Sequence, residues 1–439
     1  MTTYYIDPSA GVNGNGLSEL TPFNTWVGLT WVAGNTYLQK AGTTYTGIPT
    51  LTTANITLGK YGVGSRPKHI VSGSFWSVTS TNFTIKDFEI TSADGGLLVG
   101  GSGFLGDNLD IHDCLGATGF GISFNTGAGG TLQNSFVYNI GNDAIEVRAG
   151  AGTVIIDNCD SYNVSTNSIG GDNVGGSNGG TYNLLIQNCR FTKTDAYKQN
   201  IMSGTSGYVK VHNSVMKNLG GGGTISCQGA SLFEIIGCDI YGNGANSAPY
   251  GNGATGTTIT NANIVGNKIV LDNNTTYGLQ ADSNSVGGIV NIANNTIIKT
   301  NSLAPNYNIS TDAVGTINFK NNILVGGLYS VYHQGSVTFN CNNNCYSSGT
   351  QFVYDGSIKS TFASWRASQA NMDANSFQTD PILGANYAPS IGSPCLNAGT
   401  KWWTNARPFD VKGEPYPDID IDIGAVQSTT NPFHPNNIK

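Results

Sequence analysis

One short pattern recurs along this chain: an apolar residue, any residue, then Asn, Asp or Gly, then a small polar residue or Cys. Clear copies are Ile156-Asp157-Asn158-Cys159, Ile186-Gln187-Asn188-Cys189, Val211-His212-Asn213-Ser214 and Ile292-Ala293-Asn294-Asn295. The third position falls at Asp87, Asp113, Asn134, Asn158, Asn188, Asn213, Gly237, Gly266, Asn294, Asn321 and Cys341, with gaps of 20 to 30 residues. Self-similarity at a period of roughly 25 residues marks a solenoid, in which equivalent positions of successive repeats share one surface. Between the repeats, runs such as Thr153-Val154-Ile155-Ile156-Asp157 and Tyr208-Val209-Lys210-Val211-His212 alternate apolar and polar residues. Period two with β-branched residues predicts strands. The recurring Asn suits a bend, because it tolerates left-handed backbone geometry and its amide can bond to the next coil. The prediction is an all-β, right-handed parallel β-helix of about eleven coils.

Composition agrees with a packed but weakly charged solenoid. Charged residues are 11% of the chain, against roughly 25% in an ordinary domain. Apolar residues at 38% and aromatics at 10% still supply an interior despite 60 glycines. The net charge is −7 and no Lys/Arg run occurs, which argues against nucleic acid as a partner. No apolar run reaches the roughly 18 residues of a membrane span, so no membrane insertion is expected. Residues 1–10 lack a basic start and an apolar stretch, so the expected route out of the cell is lysis unless a leader has been removed.

Three regions are predicted: a capping region over 1–55, the parallel β-helix over 56–345, and an irregular extension over 346–439 that packs on or caps it. Residues 361–370 read as a short helix. Asp418-Ile419-Asp420-Ile421-Asp422-Ile423 alternates as a strand with three Asp on one face. Those carboxylates offer oxygen ligands for Ca²⁺, although a solvated edge is the preferred reading and no cofactor is required. Cys114, Cys159, Cys189 and Cys238 follow ladder residues, which predicts one interior column of free thiols shared with Ser135, Ser214, Asn267, Asn295 and Asn322.

The ladder copies at Asn158-Cys159 and Asn188-Cys189, with three other segments, resemble the pectate-lyase-like right-handed parallel β-helix superfamily. The segments are Asn55-Ile56-Thr57-Leu58-Gly59-Lys60-Tyr61-Gly62, Ser393-Pro394-Cys395-Leu396-Asn397-Ala398-Gly399 and Asp422-Ile423-Gly424-Ala425. The opening is similar to the start of many such proteins, including bacteriophage tailspike depolymerases and bacterial polysaccharide lyases. The resemblance implies a carbohydrate-active protein, a homotrimer where it belongs to a tailspike, and an extracellular or virion-associated location. It transfers no catalytic residue.

Columns give the candidate chemistry. A second apolar anchor is expected at Ile122, Ile145, Ile169, Ile201, Ile225, Leu279, Ile309 and Val331, with outward residues one and three positions later. This alignment brings Glu146, Arg148 and Asp172 onto adjacent coils. Two carboxylates beside an arginine could serve a glycoside hydrolase. Alternatively, Arg148 could neutralise a uronate while Lys198 or His212 acts as the base of an elimination. Asn125 and Gln228 fall in the same outward column. Tyr138 and Tyr162 form an aromatic face for sugar rings. His112 and His212 both precede ladder positions, too far apart to share a metal. The function expected is a depolymerase, hydrolase or lyase, of a bacterial surface polysaccharide. The alternatives are a secreted enzyme for plant or algal polysaccharide and a non-catalytic carbohydrate-binding adhesin.

Overall fold

Apolar residues at every second position leave these short segments only one way to hide them: strands stacked with one face inward. The computed structural model describes residues 1–428 except 50, 52, 118, 165–170, 177–180, 195–199, 221–223, 243–258, 272–276, 282–285, 301–306, 312–314, 335–336 and 404–406. The chain forms two compact units, Met1–Ser206 and Gly207–Lys439. Each unit is a parallel β-solenoid.

In the first unit one sheet runs through Thr3–Ile6, Thr36–Lys40, Thr57–Tyr61, Thr84–Lys86, Phe104–Asp107, Gly130–Gln133, Thr153–Asp157 and Asn183–Gln187, every pair parallel. A second runs through Lys68–Val71, Glu89–Ser92, Asp110–Cys114, Phe136–Ile140, Asp160–Val164 and Arg190–Lys193. A third row stacks Leu97–Val99, Ile122–Phe124, Ile145–Val147 and Val174–Gly176. The second unit repeats the scheme. Ile225–Ile236, Ile259–Val265, Val286–Ala293, Thr316–Lys320 and Thr338–Asn342 form one sheet. Val215–Asn218, Asp239–Gly242, Lys268–Leu271, Thr296–Lys299 and Ile323–Val325 form the next.

The bend between these two sheets is the ladder read from the sequence. Its φ angles are all positive, from 48° at Asn213 to 66° at Gly266. Asn is one of the few residues besides Gly that adopt this geometry routinely. The amides then bond along the stack: Asn158 Nδ2 donates to Asn134 Oδ1 at 2.8 Å, and Asn321 Nδ2 to Asn294 Oδ1 at 3.3 Å. Two positions differ from the prediction. Asn108, with φ 55°, holds the place given to Asp113, and Asn343, with φ 56°, the place given to Cys341. Asp113 begins a separate ladder at the far end of the second sheet, where Asn139 donates to it at 3.1 Å.

Just inside the bend lies the predicted column of small polar and thiol side chains. Cys159, Cys189, Cys238, Ser135 and Ser214 are all buried. Cys114 is buried too but follows the second ladder, and Leu109 takes its place in the column. In the second unit the column becomes amide. Asn267 donates to Asn295, Asn295 to Asn322, and Asn322 to Asn344, at 3.0, 3.0 and 3.1 Å. This row ends on Asp373, a fully buried carboxylate. It accepts from Asn344 at 3.2 Å, Tyr346 at 2.9 Å, Trp365 at 2.6 Å and Cys341 at 3.1 Å, and also from Ser376. Trp365 comes from the helix Phe362–Arg366, which lies within the stretch predicted helical.

All eight cysteines are free and buried, and burial pushes the Cys114 and Cys238 thiols up to about 12. Thiolate is the reactive form. A thiol reagent is therefore expected to label none of them in the native protein and all of them in denaturant. Rapid native labelling would contradict the buried column.

The tail of the second unit docks on its ladder. Asn321 Nδ2 donates to Thr400 O at 2.7 Å, Asn343 Nδ2 to Ala398 O at 3.2 Å, and Trp402 Nε1 to Asn294 Oδ1 at 2.7 Å. Here the tail explains why the ladder changes from Asn to Gly. A Cβ at Gly266 would lie 2.4 Å from Phe409 O, and one at Gly237 3.1 Å from Asp410 O. The predicted strand at 418–423 is absent, because the backbone bends there, with φ 55° at Asp420. Its three Asp do not share a face: Asp422 is buried and accepts from the Asn397 and Ser428 backbone N–H groups. Among the described residues, no helix is long and apolar enough to cross a membrane.

Candidate functional site

In the second unit, alternation turns Val209, Val211, Phe233, Ile235, Ala262, Ile264, Val290 and Ile292 inward. The residues between them face out, and in register they form the row Glu234, Asn263, Asn291, Asn318, Asn340. Each amide donates to the rung before it: Asn340 to Asn318 at 3.0 Å, then Asn318 to Asn291, Asn291 to Asn263 and Asn263 to Glu234 at 2.9 Å each. The row is a hydrogen-bonded chain that terminates on one carboxylate.

Lys210 and His212 meet Glu234 on its other side. Lys210 Nζ lies 3.1 Å from Glu234 Oε2, and His212 Nε2 lies 3.4 Å from the same oxygen without hydrogen-bond alignment. Burial alone would push the Glu234 carboxyl up. The contacts to His212, Asn263 and Lys210 outweigh it and bring it down to about 2. Glu234 is thus ionised at any ordinary pH. It holds two basic side chains in place and cannot act as a general acid.

The tail supplies the opposite wall with Trp402, Trp403, Arg407, Pro408 and Phe409, enclosing a groove of about 690 Å³. Arg407 and Lys401 are both paired with Asp418. Glu234 is the single carboxylate among the described lining residues. Because the wall rests on the close approach at Gly266, Gly266→Ala is expected to lift Phe409 and cut activity or ligand binding at the groove by 10-fold or more. Unchanged binding would mean that the tail does not form the wall.

The other predicted residues lie in the first unit or outside the described set. Glu146 faces outward and is fixed by buried Ser123, whose Oγ donates at 2.6 Å, and by Arg148 Nε at 2.9 Å. Arg148 also lies 5.6 Å from the centroid of the Phe120 ring. Asn125 and Arg148 directly follow the paired residues Phe124 and Val147. Asp172 does not join them. The anchor opposite Ile145 is Val174, so Glu146 pairs with Gly175, and Asp172 is buried in the preceding turn. Ile169, the expected anchor, lies outside the described residues, and the strand in register with Ile145–Val147 begins at Val174. Lys198 and the side chain of Gln228 fall outside the described residues.

Tyr138 and Tyr162 are in register, as predicted, and stack with His112 at centroid distances of 4.9 Å. The stacking uses up both faces of Tyr138, and Tyr162 is 43% exposed. Burial and nearby Asp110 push the Tyr138 phenol up to about 12, which removes it as a base near neutral pH. His112 contacts Glu89 at 3.2 Å and Asp113 at 2.9 Å. Among the described residues, no three His, Cys, Asp or Glu side chains are placed to hold a metal ion.

The sequence signal for Glu234 was its distance from the ladder. Lys210, Glu234, Asn263, Asn291, Asn318 and Asn340 each stand three residues before a ladder residue, at 213, 237, 266, 294, 321 and 343. In the first unit the same position holds Thr131, Ile155 and Leu185.

No family model and no curated protein matches this chain. Solved structures do. Pectate lyase Pel9A is similar over 97% of this chain and 96% of its own, at 17% identity and a TM-score of 0.43. An alginate lyase from Paenibacillus sp. str. FPU-7 is similar over 70% of this chain and 93% of its own, at 15% identity and a TM-score of 0.38. A rhamnogalacturonan lyase is similar over 78% and 87%, at 15% identity and a TM-score of 0.34. At these scores no residue role passes to this chain. The architecture of each unit, fixed by its own strand register, is a parallel β-solenoid.

Proposed function

We propose that this protein is a polysaccharide depolymerase that cleaves an acidic polymer by β-elimination in the groove over Glu234. The observation that carries the reading is the triad of Glu234, Lys210 and His212 in a groove that offers no second carboxylate among its described lining residues. Glycoside hydrolysis needs two carboxyl groups, one of them protonated. Elimination needs a base and a counter-charge for the substrate carboxylate. The proton of the neutral His212 ring is assigned to Nε2, the nitrogen 3.4 Å from Glu234, which leaves the Nδ1 lone pair as the base. Nδ1 takes the proton from the carbon next to the uronate carboxylate. Lys210 offsets the charge that builds on that carboxylate. The bond to the departing sugar oxygen then breaks as the ring double bond forms, the oxygen takes a proton from solvent water and leaves as a hydroxyl, and Nδ1 returns its proton to the hydroxide so formed.

A second reading centres on Glu146, because Ser123 and Arg148 fix its carboxylate on an outward face. The bacterial surface polymer, the trimer and the extracellular or virion-associated location belong to this proposal as well. Incubation with a panel of acidic bacterial, plant and algal polysaccharides tests it. New reducing ends with absorbance near about 235 nm are expected from elimination. Reducing ends without that band would overturn elimination and the role given to His212. Binding without cleavage would make the protein an adhesin.

A further inference from the structure

We infer that Trp402, with Asn291 and Asn318, forms a sugar-binding subsite two to three rungs along the groove from Glu234; the inference rests on the proposed depolymerase function. Trp402 is partly buried and rigidly held. Its Nε1 donates to Asn294 Oδ1 at 2.7 Å, and its ring meets Trp403 edge-on at 5.9 Å. Trp403 is buried and packs in turn on Tyr416. Trp402 lines both the groove and an adjoining cavity of about 90 Å³ shared with Asn291, Ala293, Asn318 and Lys320.

The amide row suits hydroxyl groups. Asn263, Asn291 and Asn318 each spend one N–H on the rung before and one oxygen lone pair on the rung after. One N–H and one lone pair remain on each amide. Rungs repeat at roughly 4.8 Å, about the length of one sugar ring, so successive residues of a polymer laid along the row meet successive amides. Asn291 stands about 10 Å from Glu234 and Asn318 about 14 Å. A fixed indole beside those two amides joins an apolar ring to paired donors and acceptors, the combination that grips a pyranose. The subsite therefore acts on polymer length: it holds a sugar that is not the one being cleaved.

Uronate oligosaccharides of two to six residues, titrated against the full chain by calorimetry, provide the test. Trp402→Ala is expected to weaken binding of the hexamer about 10-fold and leave the dimer unchanged. Trp402→Phe should recover part of the loss, since it keeps a ring at the site. Equal weakening at every length would make Trp402 a mere support for the wall, and no weakening would remove the subsite. Absence of binding by the wild type at any length would also overturn it. A protein that yields no unsaturated product, yet binds the hexamer in a Trp402-dependent manner, would lose the elimination mechanism and keep the subsite.

Discussion

Asp373→Ala is expected to cost about 3–5 kcal/mol of stability in the second unit. The carboxylate is fully buried and receives side-chain donors from Asn344, Tyr346, Trp365, Cys341 and Ser376. Removing it strands those donors without water and leaves a gap at the end of the inner amide row. The row itself is directional: Asn267, Asn295, Asn322 and Asn344 each pass a hydrogen bond toward Asp373. Such chains strengthen one another, so the loss should extend several coils back. Asp373→Asn keeps the shape and part of the acceptor capacity, and should lose less. Denaturant unfolding measures both. A change under about 1 kcal/mol for the alanine variant would show that the row needs no terminator.

Glu234→Gln should reduce kcat/KM on the cleaved polymer by about 10²–10³-fold while the fold persists. Glutamine can still accept from Asn263, but it carries no charge to hold Lys210 and His212. The same substitution has a pH signature with a defined sign. Glu234 is held at about 2 in the folded protein against an ordinary 4.5. Its pairing therefore contributes fully above about pH 4.5 and is lost as the pH falls through 2. Wild type should lose stability relative to Glu234→Gln across that window, and the two should run parallel above it. Equal acid sensitivity would mean that the ion pairs do not form in solution.

Much of this was readable from residue order. Ten of the ladder positions named from the sequence adopt positive φ, because Asn, Asp and Gly are the residues that tolerate it. Asp113 was misplaced because each coil of that region has two such bends, and the motif does not say which one a residue occupies. The run Cys341-Asn342-Asn343-Asn344-Cys345 offered several registers, and only the paired strands select Asn343. Asp172 failed for a related reason: the connection from Asn158 to the next anchor is longer than in neighbouring coils, so a column drawn at fixed spacing slips. His212 was recognised as a candidate base, but Glu234 was not, although it lies three residues before its ladder glycine. The groove itself could not be read from the sequence. Its second wall comes from Trp402, Trp403, Arg407, Pro408 and Phe409, far from His212 in the chain, and their docking depends on the gaps that Gly237 and Gly266 leave.

The most direct test compares the rate of unsaturated-product formation by wild type, His212→Ala and Glu146→Gln on the same acidic polymer. With Glu234, Lys210 and His212 as the reacting centre, His212→Ala should fall by about 10²–10⁴-fold and Glu146→Gln should stay within a few-fold of wild type. Full activity in His212→Ala with loss in Glu146→Gln would move the chemistry to the first unit and contradict the groove.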